Sequence, residues 1–341
     1  MTDRKSRAVR ALAAAAAVAW LLGCAPARAE KRTVIAGYFP NLTHAQALIG
    51  RENGAFARAM GEGISIDWKV FNAGPSAIEA LFAGKLDITY IGPSPAVNAY
   101  VKSAGEAVRV VAGAASGGAA LVVRADAGIG QPDDFHGKKA ASPQQGNTQD
   151  VSLRAWLSKN GLKLKDVGGD VEVLAVANAD QVTLFLRKEL DAAWTVEPWV
   201  STLVKNAGGR VLVDEATLWP DGRYSTALVL VRKKFLDENP DLVRAFLRAH
   251  VETTRWIQSH PEEAKKALGE AIERQTSKPI PADVLSDAFG RITFLDDPLE
   301  DSIREQARSA YKAGYLKKEP DLSGLFEKAL LKEVLAEKEG K

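Results

Sequence analysis

The sequence predicts an α/β fold in two lobes, with mixed, mostly parallel sheets, flanking helices and a helical C-terminal tail. Three observations carry that expectation. Short β-rich runs alternate with loops and helical stretches along the chain after residue 30. The alternation breaks near residues 133–137 and restarts, giving two strand–helix blocks. The length of 341 residues suits two domains of ordinary size.

The elements follow in order. Residues 33–37 form a β-rich run ending in glycine, and the loop 38–44 leads to a helix from Ala45. Residues 65–70 alternate as a strand, and 72–76 open a helix to Ala83. Residues 88–91 are a third strand, and 92–95 open a helix to Lys102. Residues 109–114 and 119–123 are two further strands. After the turn at 133–137, residues 139–141 form a strand. The loop 144–148 then enters a helix that ends at Asn160, with Gly161 just beyond it. Strands at 171–175, 192–195, 210–213 and 225–231 follow, with helices from Asp180 and from Glu197-Pro198 between them. From Lys233 the pattern is nearly all helix. Leu242, Val243, Phe246, Leu247, Val251 and Ile257 recur at helical spacing.

Composition narrows the function. With 46% apolar and 26% charged residues, the chain is an ordinary globular one, neither a disordered tail nor a polytopic membrane protein. A formal charge of +2 creates no field suited to nucleic acid. The single cysteine excludes an intrachain disulfide and cysteine-rich metal sites. The four histidines show no HxxxH or HExxH spacing, no GxSxG elbow is present, and no carboxylate pair stands out, so no catalytic group, cofactor or metal is expected.

Residues 1–29 read as a signal peptide. Arg4, Lys5, Arg7 and Arg10 precede an apolar run at 11–22, too short to span a membrane. Two exclusive cleavage signals follow. Residues 21–24 form a lipobox that would make Cys24 a lipidated first residue, and Ala27-Arg28-Ala29 would release the chain before Glu30. Removing residues 1–23 takes away four bases and one acid and turns the formal charge from +2 to −1.

Four loops have the same character: 72–76, 92–94, 116–118 and 145–148 are small, glycine-rich and polar, and each follows a strand. Three run straight into helices, whose first N–H groups are unpaired and carry partial positive charge. The candidate contacts are Gly74, Ser76, Gly92, Ser94, Ser116, Gly117, Gly118, Gly146, Asn147 and Thr148. Any one of these loops also reads as a plain N-cap and turn; four together favour a convergent anion site at the carboxyl ends of the strands. His44, beside Asn41 and Thr43 in the first strand–helix loop, is either a ligand donor or a structural group. In the segment 194–199, Trp194 and Trp199 are either an apolar wall for a ligand tail or core. Glu197 accepts from a ligand amine or from the other lobe, or else simply favours the dipole at a helix start.

These residues resemble a known family. Residues 37–40 (GYFP), 71–81 (FNAGPSAIEAL), 84–88 (GKLDI), 137–139, 146–148 and 191–199 match, in order, the periplasmic solute-binding components of nitrate/sulfonate/taurine ABC transporters. The likeness runs over about residues 31–330 and is strongest to aliphatic sulfonate binders. It implies a two-lobed periplasmic-binding-protein fold of type II. Lobe I would be 31–122 plus 227–341, and lobe II 123–226, with the chain crossing near 121–124 and 224–229. It also implies that Asn41, Thr43, His44 and the four loops line a cleft between the lobes. The expected function is capture of a small oxyanion, an aliphatic sulfonate first, for a membrane permease with a cytoplasmic ATPase. The expected protein is an exported monomer, periplasmic or on the outer face of the membrane, touching the membrane only through a lipid on Cys24. The competing readings are an exported sensor or binder of nitrate, bicarbonate or an aromatic acid, and an enzyme on the same scaffold.

Overall fold

The computed structural model describes residues 32–339. Cys24 and both expected cleavage sites lie outside the described residues. In chain order the strands are β1 (Arg32–Tyr38), β2 (Ile64–Val70), β3 (Ile88–Ile91), β4 (Val108–Gly117), β5 (Ala119–Arg124), β6 (Lys139–Ser142), β7 (Glu172–Ala175), β8 (Ala192–Val196), β9 (Gly209–Asp214), β10 (Ser225–Arg232) and β11 (Ile292–Phe294). They form a six-stranded sheet of order β11-β4-β10-β3-β1-β2 and a five-stranded sheet of order β7-β6-β8-β5-β9.

The chain changes sheet twice. β4 and β5 are separated only by Gly118, yet belong to different sheets. Gly117 and Gly118 both have positive φ, 81° and 78°, which suits residues without a Cβ at so sharp a crossing. The return runs from Asp214 at the end of β9 to Ser225 at the start of β10.

The sheets are mixed as expected, but carry more antiparallel pairing than the alternation of strands and helices implies. β1 pairs parallel with β3, and β6 pairs parallel with both β7 and β8. β10 runs antiparallel to β3 and β4, and β5 antiparallel to β8 and β9. Apart from the short β11, which runs antiparallel to β4, the antiparallel pairs are made by β4, β5 and β10, the strands at the two crossings, where the chain enters a sheet without a crossover helix to turn it round.

Period-two burial explains why these runs are strands. Leu228 and Leu230 of β10 join one apolar cluster, while Val229 and Val231 join the cluster on the other face. A central strand buried on both sides needs apolar residues at every position. In the second sheet Leu121, Val123 and Trp194 share one face, and Ala120, Val122 and Ala193 share the other.

The C-terminal region is helical over Lys233–Glu238, Pro240–Ser259, Pro261–Thr276, Ala282–Gly290, Glu300–Lys312 and Ala329–Glu339. The expectation missed β11, whose three residues pair with the end of β4 at Ala115 to Gly117. A strand that short has too few residues to show a period, and only its long-range partner makes it one.

Candidate functional site

Three helices begin at one cleft between the two sheets: Gly74–Phe82 after β2, Pro93–Lys102 after β3 and Thr148–Lys159 after β6. The first two start after Ala73 and Gly92, whose side chains cannot cap a helix. Pro75, Pro93 and Pro95 carry no N–H, so of the leading residues only Gly74, Ser76 and Ser94 have a donor to offer, and the Ser94 N–H is taken by Thr148 Oγ1. The third is capped by Asn147, whose Oδ1 accepts from the Asp150 N–H at 2.8 Å.

Among the expected residues, Asn41, Thr43, His44, Gly74, Gly92, Asn147 and Thr148 line the cleft. Asn72, Gln149, Asn178 and Thr226 line it as well and were not among the expected contacts. Asn178 carried the same signal as the others, a polar residue at a helix start just after a strand. Thr226 carried none, since it lies inside an apolar strand. The free space between these residues is about 20 Å³. None of the lining residues is Lys, Arg, Asp or Glu.

The donors are neutral and held in place. His44 is buried, and its Nδ1 accepts from the Phe39 N–H at 3.1 Å. That bond puts the ring proton on Nε2, and burial lowers the histidine pKa to about 3. His44 is thus an uncharged Nε2–H donor at any physiological pH. Asn41 Oδ1 accepts from Trp199 Nε1 at 3.0 Å and from Asn178 Nδ2 at 3.4 Å. Thr195 Oγ1 in turn donates to Asn178 Oδ1 at 2.7 Å. This relay fixes the Asn41 amide with its oxygen satisfied, which leaves the Nδ2 protons for the cleft.

The two sheets meet across the cleft by direct bonds. Ser94 N donates to Thr148 Oγ1 at 3.3 Å. Leu42 N donates to Glu197 O at 3.0 Å; Glu197 N donates to Gly118 O at 2.8 Å, which continues the β5–β8 pairing within the second sheet. Ser76 Oγ donates to Gln144 Oε1 at 3.0 Å.

Other expected contacts have structural duties instead. Gly146 has φ of 78° and donates its N–H to Asp150 Oδ2, which shapes the loop but does not line the cleft. Ser76 and Ser94 lie just outside the lining. Ser116, Gly117 and Gly118 serve the crossing: Ser116 Oγ accepts from Tyr224 N, and a Cβ on Gly117 would stand 2.5 Å from Arg291 O.

Trp194 is not a cleft wall. Strand parity places it in the core with Leu121 and Val123, and its Nε1 donates to Glu215 Oε2 at 2.7 Å. Glu197 does not face the cleft either. Its carboxyl is fully buried, accepts from Ser201 N at 3.0 Å and Ser201 Oγ at 2.9 Å, and lies 3.5 Å from Arg291 Nε. Burial raises its pKa to about 7.

Glu215 behaves likewise. It is buried, accepts also from Ser152 Oγ, and burial raises its pKa to about 7. The folded state therefore holds this proton more tightly than the unfolded chain, whose carboxyl titrates near 4.5. Its stabilising effect is full below pH 4.5 and is lost as pH rises through 7. Glu215→Gln should match the wild type in urea unfolding at pH 4.5 and exceed it at pH 8.5, by on the order of 3 kcal/mol. Equal stabilities at both pH values would contradict the assignment.

The sequence profile of the NMT1-like family matches residues 27–272. The chain is 31% identical over 203 residues to a provisionally named binding protein of Brucella abortus (strain 2308), a match covering 59% of this chain and 60% of that one. It is 28% identical over 216 residues to the taurine-binding periplasmic protein of Escherichia coli (strain K12), covering 63% and 64%. The chain thus spans about three fifths of the curated relatives it matches first. In fold it is similar to the alkanesulfonate-binding protein SsuA from Xanthomonas axonopodis pv. citri bound to MOPS, with a TM-score of 0.72 at 19% identity, covering 88% of this chain and 100% of that one.

Proposed function

The chain belongs to the NMT1-like family, and on that premise we propose that it is the substrate-binding component of an ABC importer. It captures a small oxyanion, an aliphatic sulfonate first, between its two lobes and delivers it to a membrane permease with a cytoplasmic ATPase. The observation that carries this reading is the cleft itself. The helix starts at Gly74 and Gly92 converge there with the His44 and Asn41 donors, and no charged side chain lines it. Each helix start contributes partial positive charge, and hydrogen bonds to a charged acceptor are worth about 1.5–3 kcal/mol each. Neutral donors of this kind suit a monoanion whose charge is spread over several oxygens.

The lining has no carboxylate, so an ammonium on the ligand would find no counter-charge. That favours a plain sulfonate over an amino-sulfonate, even though the Escherichia coli relative is a taurine-binding protein. Lobe I, 31–122 plus 227–341, and lobe II, 123–226, close about the crossings at Gly118 and 215–224. A ligand touching both lobes favours the closed form by its preferential affinity for that form. Capture is without chemical change to the ligand. The protein acts as a monomer outside the cytoplasmic membrane, cut before Cys24 or Glu30.

Thermal unfolding with added ligand tests the reading. Methanesulfonate at a hundredfold excess over its Kd should stabilise the protein by about 2.7 kcal/mol. Nitrate, bicarbonate and benzoate at the same concentration should do less. A shift with one of those and none with methanesulfonate would reassign the ligand.

A further inference from the structure

A second, larger space lies beside the cleft. A groove of about 680 Å³ runs between the helix Thr148–Lys159, the segment 215–220 and the helix Glu300–Lys312. Ser94 lines the groove, Thr148 lines the cleft, and Ser94 N donates to Thr148 Oγ1 at 3.3 Å, so the two spaces adjoin at this bond. Val151, three residues after Thr148 and so on the same helix face, is already a groove residue.

The groove wall combines apolar and charged side chains, Lys159, Glu305 and Lys312 among them. Trp156, Trp219 and Leu218 supply large apolar surface, and Leu218 is 48% exposed. Gln306, only 4% exposed, donates its Nε2 to Ser225 O at 2.9 Å, but its Oε1 has no partner. Trp219 Nε1 is also buried, turned toward Glu215 without a bond of normal geometry. A buried acceptor left unpaired costs free energy unless something supplies a donor.

We propose that the groove is the tail subsite of the ligand, so that the natural substrate is a sulfonate carrying a ring or a comparably bulky apolar body. This rests on the sulfonate reading of the cleft. The head group would displace the Thr148 hydroxyl from Ser94 N, taking that N–H as a further donor at the helix start. The tail would then pass over Val151 and pack between Trp156, Trp219 and Leu218. A polar substituent with a proton to donate would reach Gln306 Oε1. The cleft has about 20 Å³ of free space, too little for a ring beside the head group, whereas the groove of about 680 Å³ accommodates one.

Titration calorimetry of the whole chain with methanesulfonate and benzenesulfonate separates this from the cleft reading. Benzenesulfonate should bind the wild type at least tenfold more tightly. Ala155→Trp, which fills the groove from its helix wall, should remove that preference and leave the methanesulfonate affinity unchanged. Leu218→Ala, at an exposed position that the fold does not need, should reduce the preference severalfold. Equal affinities in the wild type would overturn the proposal and leave the cleft reading standing. A preference that survives both variants would also overturn it. If neither sulfonate binds, the cleft reading fails and the proposal fails with it.

Discussion

Gly92→Ala should weaken ligand binding by tenfold to a hundredfold while the ligand-free protein still folds. Gly92 has φ of −76°, so alanine meets no backbone strain there. What it meets is Thr148: the new Cβ would stand 2.3 Å from Thr148 Oγ1 and 3.2 Å from Thr148 Cβ. Rotating the hydroxyl relieves the first contact but not the second, so the start of the helix Thr148–Lys159 must stand slightly further from Gly92. Overpacking of this kind costs about 1–3 kcal/mol, charged only to the closed form. The apparent affinity falls by the same free energy, since binding draws on that form. Alanine is also a poorer N-cap than glycine, a local cost of about 0.5–1 kcal/mol. Calorimetry with methanesulfonate should show the lost affinity, and small-angle scattering with ligand should show a larger radius of gyration than the wild type. Unchanged affinity would mean that closure does not bring Gly92 onto Thr148.

Asp150→Ala should cost about 3–5 kcal/mol in urea unfolding, the largest single loss expected from a residue that does not line the cleft. The carboxylate is buried and takes four donors: Ser142 Oγ at 2.8 Å, Arg154 Nε at 3.1 Å, Gly146 N at 2.8 Å and the Tyr315 hydroxyl. Removal takes the acceptor from all four donors and leaves the Arg154 guanidinium, only 14% exposed, with the more distant Asp166 carboxylate at 3.5 Å as its remaining counter-charge. Asp150→Asn, which keeps one oxygen and the side-chain volume, should lose less. Because Ser142 and Gly146 frame the loop that presents Asn147 and Thr148, the alanine variant should also bind ligand more weakly. A loss below about 1 kcal/mol would contradict the account of Asp150 as the group that sets this loop.

Much of the scaffold was legible because its signals are local. β3 is the run Ile-Thr-Tyr-Ile, all four residues buried, and the helix after it opens on Pro93, a residue pre-shaped for a first helical turn. The loops at 72–74, 92 and 147–148 were legible for the same reason, being polar or glycine-rich residues between a strand and a helix. Ser116, Gly117 and Gly118 have that composition too, but their glycines answer to Arg291 O and Ile292, far away in sequence. Composition cannot separate a glycine that admits a ligand from one that admits another backbone. Trp194 shows a similar limit: alternation fixes that it faces opposite to Ala193, but only the neighbouring β5 and Glu215 decide which face is core. The antiparallel pairing of β10 depended on which strands it returned to, and nothing within residues 225–232 encodes that.

The most direct test is a crystal structure of the protein grown with benzenesulfonate. The account predicts the sulfonate over the starts of the helices Gly74–Phe82 and Pro93–Lys102, its oxygens about 3 Å from His44 Nε2 and Asn41 Nδ2, with no lysine or arginine touching it. A sulfonate bound elsewhere, or one held in the cleft by a cationic side chain, would contradict it.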